Sequence, residues 1–597
     1  MRLRILIGPV TGAALALAAA SPAAAETRTL LPGVTYERGV QFTPHGPVAL
    51  HVVVGPRPTG LYALRPVLSN ESIPGLERVT AMQKRLSAGA TMVGVNGDFY
   101  NFATGRPSGV LLRDGVVDSP PFGDRSSVGV TADGALDVRR VEFFGTWKGL
   151  GQRRAINEVN QLPGPNGVSL FTSSYGPATP AQAGTVEAVI FPFPPATPNT
   201  DLVGPVGQLT SGGGTPIPVG GAVLVARGTA AQKLLEEAPV TTNLAVRIIF
   251  RPEWAGVTQA VGGGPVLVRN RGPVFRALEA FSAQQLVPRA PRTAVGQLAD
   301  GRVILVVTDG KRPGYSVGMT NFELAQTLVR LGAVTASGFD GGGSSTLAFD
   351  GSILSRPSDP GGERAVSTSL QLMYYGVYTP PAAPVVSPSG DGVGESQALS
   401  YKLVRPSAAR VSLTAPDGTV VFAENAQKPA GVYQVAFPPL PADPTLPPPA
   451  LAEGTWRLDV AATDDLGRSS SSRQTFSVNN TLGAVRLSAA KLVARLSHGP
   501  TISAGVDLSR AATVTVTAET SSGVRVATIS SRRATPGRFV AAWNGTTRGG
   551  RALVYGGLYA IRFRAVNELG AVELVSKPFR VTRAPTPKPK KPKTKHG

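Results

Sequence analysis

The sequence predicts an α+β catalytic domain, built on a mixed, β-rich sheet and followed by two all-β sandwiches. Three observations carry this. The first is a strand–helix–strand pattern. Arg302–Thr308 is a continuous apolar, β-branched run of the kind buried on both faces of a sheet. Asp309-Gly310 ends it, and a helix follows with Thr320 as N-cap and Glu323 three residues on. Leu324, Ala325, Leu328, Val329 and Leu331 share one face of that helix, and Gly332 is its stop. The second is a set of hairpins turning on Asp-Gly pairs: Val110–Leu112 with Val116-Val117 around Asp114-Gly115, and Val128–Thr131 with Leu136–Val141 around Asp133-Gly134. The third is an internal repeat. Gly454-Thr455-Trp456-Arg457-Leu458-Asp459-Val460 matches Gly557-Leu558-Tyr559-Ala560-Ile561-Arg562-Phe563, 103 residues on, and the same offset relates Phe476 to Phe579 and Val411 to Val514.

In chain order, Arg2 and Arg4, the apolar stretch Ile5–Ala20 and the small residues Ala23-Ala24-Ala25 have the parts of a secretory signal over residues 1–25. That implies a secreted or envelope-associated protein. No other stretch is long and apolar enough to span a membrane. Strands are expected at Val48–Val54 and Gly60–Val67, and a short helix at Ala81–Ala88. The expected catalytic domain runs over 26–378, and its Pro- and Gly-dense part, 145–250, reads as an insertion. Phe281–Arg292 is polar and reads as a loop. Pro, Ala, Ser and Gly dominate 379–398, a linker. Sandwiches are expected over 399–480 and 481–583. The end, 584–597, alternates Lys with Pro and reads as an extended, disordered tail.

Composition narrows the chemistry. The 597 residues include 70 Gly, 53 Pro and no Cys, which excludes disulfides, a thiol nucleophile and thiolate metal sites. The net charge of +21 favours anionic polymers or surfaces as partners. The tail is the expected contact to an anionic envelope polymer, and no specific nucleic-acid motif is present. The histidines are His45, His51, His498 and His596. A Ser-His-Asp hydrolase built on the glycine-rich segment is therefore disfavoured, and acid–base chemistry falls to carboxylates.

That segment is Phe339-Asp340-Gly341-Gly342-Gly343-Ser344-Ser345-Thr346. Three glycines let backbone approach a ligand and present N–H groups to an anion. With Asn96-Gly97-Asp98-Phe99-Tyr100, Gly262-Gly263-Gly264-Pro265, Arg292-Thr293-Ala294-Val295-Gly296, Thr308-Asp309-Gly310 and Glu323-Leu324-Ala325, in that order, it resembles the phosphodiester glycosidase family over roughly residues 50–378. The family includes the animal uncovering enzyme, which removes N-acetylglucosamine from a sugar-1-phosphodiester. Many relatives carry Asn-Gly-Gly-Phe-Phe where this chain has NGDFY, so Asp98 is not carried over as a family residue. The second sandwich, with Trp543-Asn544-Gly545 and Gly556-Gly557-Leu558-Tyr559, resembles the Ig-like domain of the flagellar hook-capping protein.

The resemblance implies hydrolysis at an anomeric carbon through an oxocarbenium-like state, with a phosphate monoester leaving. Such a site wants carboxylates by the sugar and cations or N–H donors around the phosphate. Asp340, Glu323, Asp309 and Asp98 are the catalytic candidates. Arg292, Asn96, Gly341, Gly342, Gly343, Ser344, Thr346 and Lys311 are the substrate-binding candidates, for a phosphoglycan or sugar-phosphate. Glu323 also reads as a helix cap, and Asp309 as a turn residue. No cofactor is called for, and a hard cation held by Asp340 and Asp309 stays open. The competing readings are a non-catalytic glycan-binding protein on the same fold and the disfavoured Ser-nucleophile hydrolase.

Overall fold

The computed structural model describes residues 26–388, 392–439, 451–495, 499–547 and 554–583. The expected signal and tail lie outside them, as do His498 and His596. The described residues fall into two compact units that divide between Tyr374 and Tyr375.

The expectation of an α+β domain with a mixed sheet is overturned. The described residues are 52% strand and 7% helix, nearly all β. The central sheet of the first unit runs Glu26–Leu31, Val34–Thr43, Gly46–Gly55, Val303–Thr308, Arg292–Leu298, Ala333–Gly338, Val266–Arg269, Gly272–Pro273, and every pairing in it is antiparallel. Val303–Thr308 is buried on both faces, as its composition requires, yet it pairs antiparallel on both sides. Burial on two faces follows from being central, and does not require parallel neighbours. The helix does connect two strands of like direction, Val303–Thr308 and Ala333–Gly338, but Arg292–Leu298 lies between them.

The helix itself forms as its residues dictate. It spans Asn321–Arg330, the Thr320 Oγ1 accepts the Glu323 N–H at 3.2 Å, and the Thr320 N–H donates back to Glu323 Oε2 at 2.9 Å. Leu324, Ala325 and Leu328 are buried against Val48, Ala294, Ile304 and Val306 of the sheet, each leucine contributing roughly 2 kcal/mol. Gly332, at φ +93°, ends it.

A second sheet runs Ser352–Ile353, Leu347–Phe349, Thr91–Asn96, Thr368–Tyr374, Tyr62–Leu68. A third runs Val116–Ser119, Leu111–Arg113, Val257–Gly262, Ser126–Thr131, Leu136–Arg140 and contains both Asp-Gly hairpins. At the first of these turns Asp114 and Gly115 both have positive φ, which suits the twist of a two-residue hairpin. Residues 142–251 add an eight-stranded sheet around fully buried Trp147, Leu170 and Leu224.

The second unit holds two strand-rich cores in succession. In the first, Phe437, Trp456 and Phe476 pack edge to face. In the second, Trp543 packs edge to face with Phe579 and tilted against Tyr559. The repeated aromatics serve one local purpose. Trp456 Nε1 donates to Ala452 O and Tyr559 Oη to Tyr555 O, each 2.9 Å and four residues back.

Candidate active site

The end of Thr91–Asn96, the end of Ala333–Gly338, the end of Val257–Gly262 and the start of Arg292–Leu298 converge. Register places them: Ala294 lies opposite Gly338, Arg292 opposite Thr308, and Asn96 opposite Ser369. The Asp340 N–H then donates to Gly97 O at 3.2 Å, and Asn96 Nδ2 donates to Asp340 O at 2.8 Å. The NGDFY and glycine-rich segments are thereby stitched together.

Two carboxyls meet there. Asp98 is buried, with Oδ2 accepting the Gly109 N–H at 2.6 Å and Oδ1 accepting the Phe99 N–H at 2.8 Å. Burial outweighs those bonds and pushes its pKa up to about 7, with the Asp340 charge adding to the rise. Gly262 makes room for it: a methyl built there would overlap Asp98 Oδ2 and lie 2.9 Å from Gly109 Cα. Asp340 is half-buried and reaches the surface. Ser344 Oγ donates to its Oδ2 at 2.6 Å. Burial raises it to about 6, opposed by Ser344, Arg364 and the Gly341 N–H.

Cations ring the mouth. Arg364 is clamped by Asp359 at 2.8 and 3.0 Å and reaches Ser344 Oγ at 3.4 Å. Arg125 lies 4.3 Å from the Phe281 ring centroid, 5.1 Å from Phe99 and 5.3 Å from Phe122, and its charge acts on both acids. Lys311 is exposed, at φ +56°, beside Gly342, and forms no ion pair among the described residues. Tyr100 sits beside Ser344 and Arg364, its hydroxyl donating to Ala365 O at 3.1 Å.

Arg292 is placed differently from expectation. Its guanidinium donates to Gln285 O and Pro288 O at 2.7 Å and to Met319 O at 3.1 Å. Burial lowers its pKa to about 10, so it stays cationic at neutral pH. It secures the Phe281–Arg292 segment, which contains the short helix Ala283–Leu286, and supports Asp340 electrostatically from behind.

Asp309 and Glu323 do not join the two acids. The Asp309 carboxylate is filled from within: His51 Nε2 at 2.9 Å and Tyr315 Oη at 2.7 Å on Oδ2, and the Arg356 N–H at 2.9 Å on Oδ1. His51 Nδ1 in turn meets Tyr36 Oη at 2.8 Å. Both ring nitrogens are thus engaged, and among the described residues no serine hydroxyl bonds the ring. His51→Ala would strand a buried carboxylate and is expected to cost about 3 kcal/mol in denaturant unfolding, against about 1 kcal/mol for Tyr36→Phe. Glu323 caps its own helix and pairs with Arg289.

Asn96 is fully buried. Its Oδ1 accepts Thr293 Oγ1 at 2.8 Å and the Thr346 N–H at 3.1 Å, so it braces the loops. The Thr346 hydroxyl is buried without a partner among the described residues. Gly341 and Gly342 do reach the surface, the Gly342 N–H being held by Pro291 O at 2.9 Å. Gly343 is buried against the Arg364–Asp359 pair. Asp309 and Asp340 turn to different partners, and among the described residues no three His, Asp or Glu side chains are arranged around a metal. Sequence reading missed His51, Arg125 and Arg364. No local pattern marks the two arginines, and His51 meets Asp309 only through the strand register that sets it opposite Val307.

Residues 200–373 match the family model described as phosphodiester glycosidase. The match takes in Arg292, Lys311 and Asp340–Thr346 and leaves out Asn96 and Asp98. The chain is 33% identical over 119 residues to the SPbeta prophage-derived uncharacterized protein YomE of Bacillus subtilis, covering 20% of this chain and 18% of that one. It is 37% identical over 68 residues to the N-acetylglucosamine-1-phosphodiester alpha-N-acetylglucosaminidase of Bos taurus, covering 11% and 12%. It therefore spans less than a fifth of these relatives' length. A crystal structure of a hypothetical protein from Synechocystis aligns at a TM-score of 0.50 and 25% identity, over 60% of this chain and 64% of that one.

Proposed function

We propose that this chain is an exported glycosidase that hydrolyses a sugar-1-phosphodiester linkage in an envelope polysaccharide or related glycan. One observation carries the reading: a surface-reaching acid, Asp340, over a buried one, Asp98, inside a rim of Arg125, Arg364 and Lys311. A phosphate monoester is a weakly basic leaving group, so its departure needs cations more than a proton. The exposed Lys311 and the Asp359-held Arg364 fit that demand. The Asp340 carboxylate, ionised, stabilises or traps the oxocarbenium-like carbon. Asp98 is too deeply buried to touch substrate and acts as a positioning residue, holding the 98–109 turn under Asp340. The N-terminal signal-like stretch supports export, and the Lys/Pro tail would tether the enzyme to an anionic polymer with a salt-weakened grip.

The test is release of free sugar from synthetic sugar-1-phosphodiesters. Activity should rise with pH through about 6, as Asp340 loses its proton. Binding of anionic glycan with no release across a substrate panel would leave a non-catalytic binder instead.

A further inference from the structure

A cleft of about 510 Å³ opens on the flank of the acid site, between the loops of residues 106–123 and the segments 142–144 and 157–161. Its size is within the usual range for small-molecule sites. Two of its residues also belong to the acid site. Arg106 acts electrostatically on Asp98, and Phe122 stacks against Arg125. The cleft therefore borders the loop whose Gly109 N–H holds Asp98.

Its chemistry is that of a carbohydrate platform. Phe122 and Phe144 are 46% and 41% exposed, far more than such rings need to fill a core. Flat apolar rings suit the C–H face of a pyranose. The side chains of Glu142 and Gln161 line the same cleft and bond no other described side chain, leaving acceptors and an amide donor for hydroxyls. Arg106 pairs with Glu158 at 3.7 Å, and its buried Nε–H has no partner among the described residues. The carboxylates of Glu142 and Glu158 disfavour a phosphate here, which separates this cleft from the cationic rim around Asp340.

We propose that this cleft binds a neighbouring, uncharged sugar unit, so that the substrate is an oligosaccharide carrying the phosphodiester and not a lone sugar phosphate. The assignment rests on the glycosidase reading for its kinetic consequence, but not for binding itself. The test uses the full chain in two arms. In calorimetry, an uncharged N-acetylglucosamine trimer and a glucose trimer are titrated against wild type, Gln161→Ala and Phe144→Ala, with circular dichroism checking the fold. At least one trimer should bind saturably, and each substitution should weaken it about tenfold. In kinetics, a disaccharide-1-phosphodiester should exceed its monosaccharide counterpart about tenfold in kcat/KM, and Gln161→Ala should erase that preference while leaving monosaccharide turnover unchanged. If neither trimer binds, or if binding ignores both substitutions, the subsite is overturned. If trimers bind as expected but no phosphodiester is cleaved, the subsite stands and the glycosidase reading falls.

Discussion

Asp340→Asn is expected to lower kcat for sugar release by about 10³-fold, roughly 4 kcal/mol of barrier, with little change in KM. The expectation follows from what the substitution keeps. The backbone bonds of residue 340 to Gly97 O and from Asn96 Nδ2 do not involve the carboxyl, and an amide oxygen can still accept from Ser344 Oγ. The loop should therefore stay in place. Only the negative charge is removed, and that charge is the interaction strongest in the transition state. Arg364 and Lys311, the cations proposed to hold the phosphate, are untouched, so substrate should still bind. Steady-state kinetics with a synthetic sugar-1-phosphodiester decides it: undiminished kcat would remove Asp340 from the chemistry.

The second large effect concerns Asp98 and pH. In the folded chain it keeps its proton up to about pH 7, whereas an unperturbed Asp releases it at 3.8. Between those values the native state binds more protons than the unfolded state, so stability falls as pH rises. The contribution is whole below the unfolded value and is lost as pH passes 7, a total of ~4 kcal/mol. Asp98→Asn cannot ionise, but its NH₂ must face either the Gly109 or the Phe99 N–H, which costs a hydrogen bond. The variant should thus be about 1 kcal/mol less stable than wild type at pH 4 and about 3 kcal/mol more stable at pH 8. Denaturant unfolding of the same samples at the two pH values checks the change of sign. A difference that stays constant across pH would mean that Asp98 ionises normally.

What could be read from residues alone was what is local. The Thr320–Glu323 box announces its helix because both partners sit within one turn, and the Asp114-Gly115 hairpin announces itself through the φ its turn needs. Naming Asp340, Glu323, Asp309 and Asp98 together as candidates did not show which of them would meet; the fold brings Asp98 and Asp340 together. Strand direction was not legible: an apolar run like Val303–Thr308 looks the same with parallel or antiparallel neighbours. Nor was the fate of Asp309. It depends on the register that sets His51 opposite Val307, a fact of pairing across more than two hundred residues of chain. Arg292 looked like a phosphate fork because guanidinium geometry suits phosphate, but it suits backbone carbonyls equally, and the 285–288 carbonyls reach it first. Arg364 carries no pattern at all; it matters because the loop before Thr368–Tyr374 folds over Ser344.

The glycine at 262 has a consequence for how such sequences can drift. The space a side chain there would need is already occupied by the Asp98 carboxyl. Two positions far apart along the chain therefore share one small volume. An acid at the first requires bare backbone at the second, and the Gly109 Cα crowds the second even where the first is small. An alanine introduced at 262 should be rescued only in part by shortening residue 98, because the Gly109 backbone still crowds it.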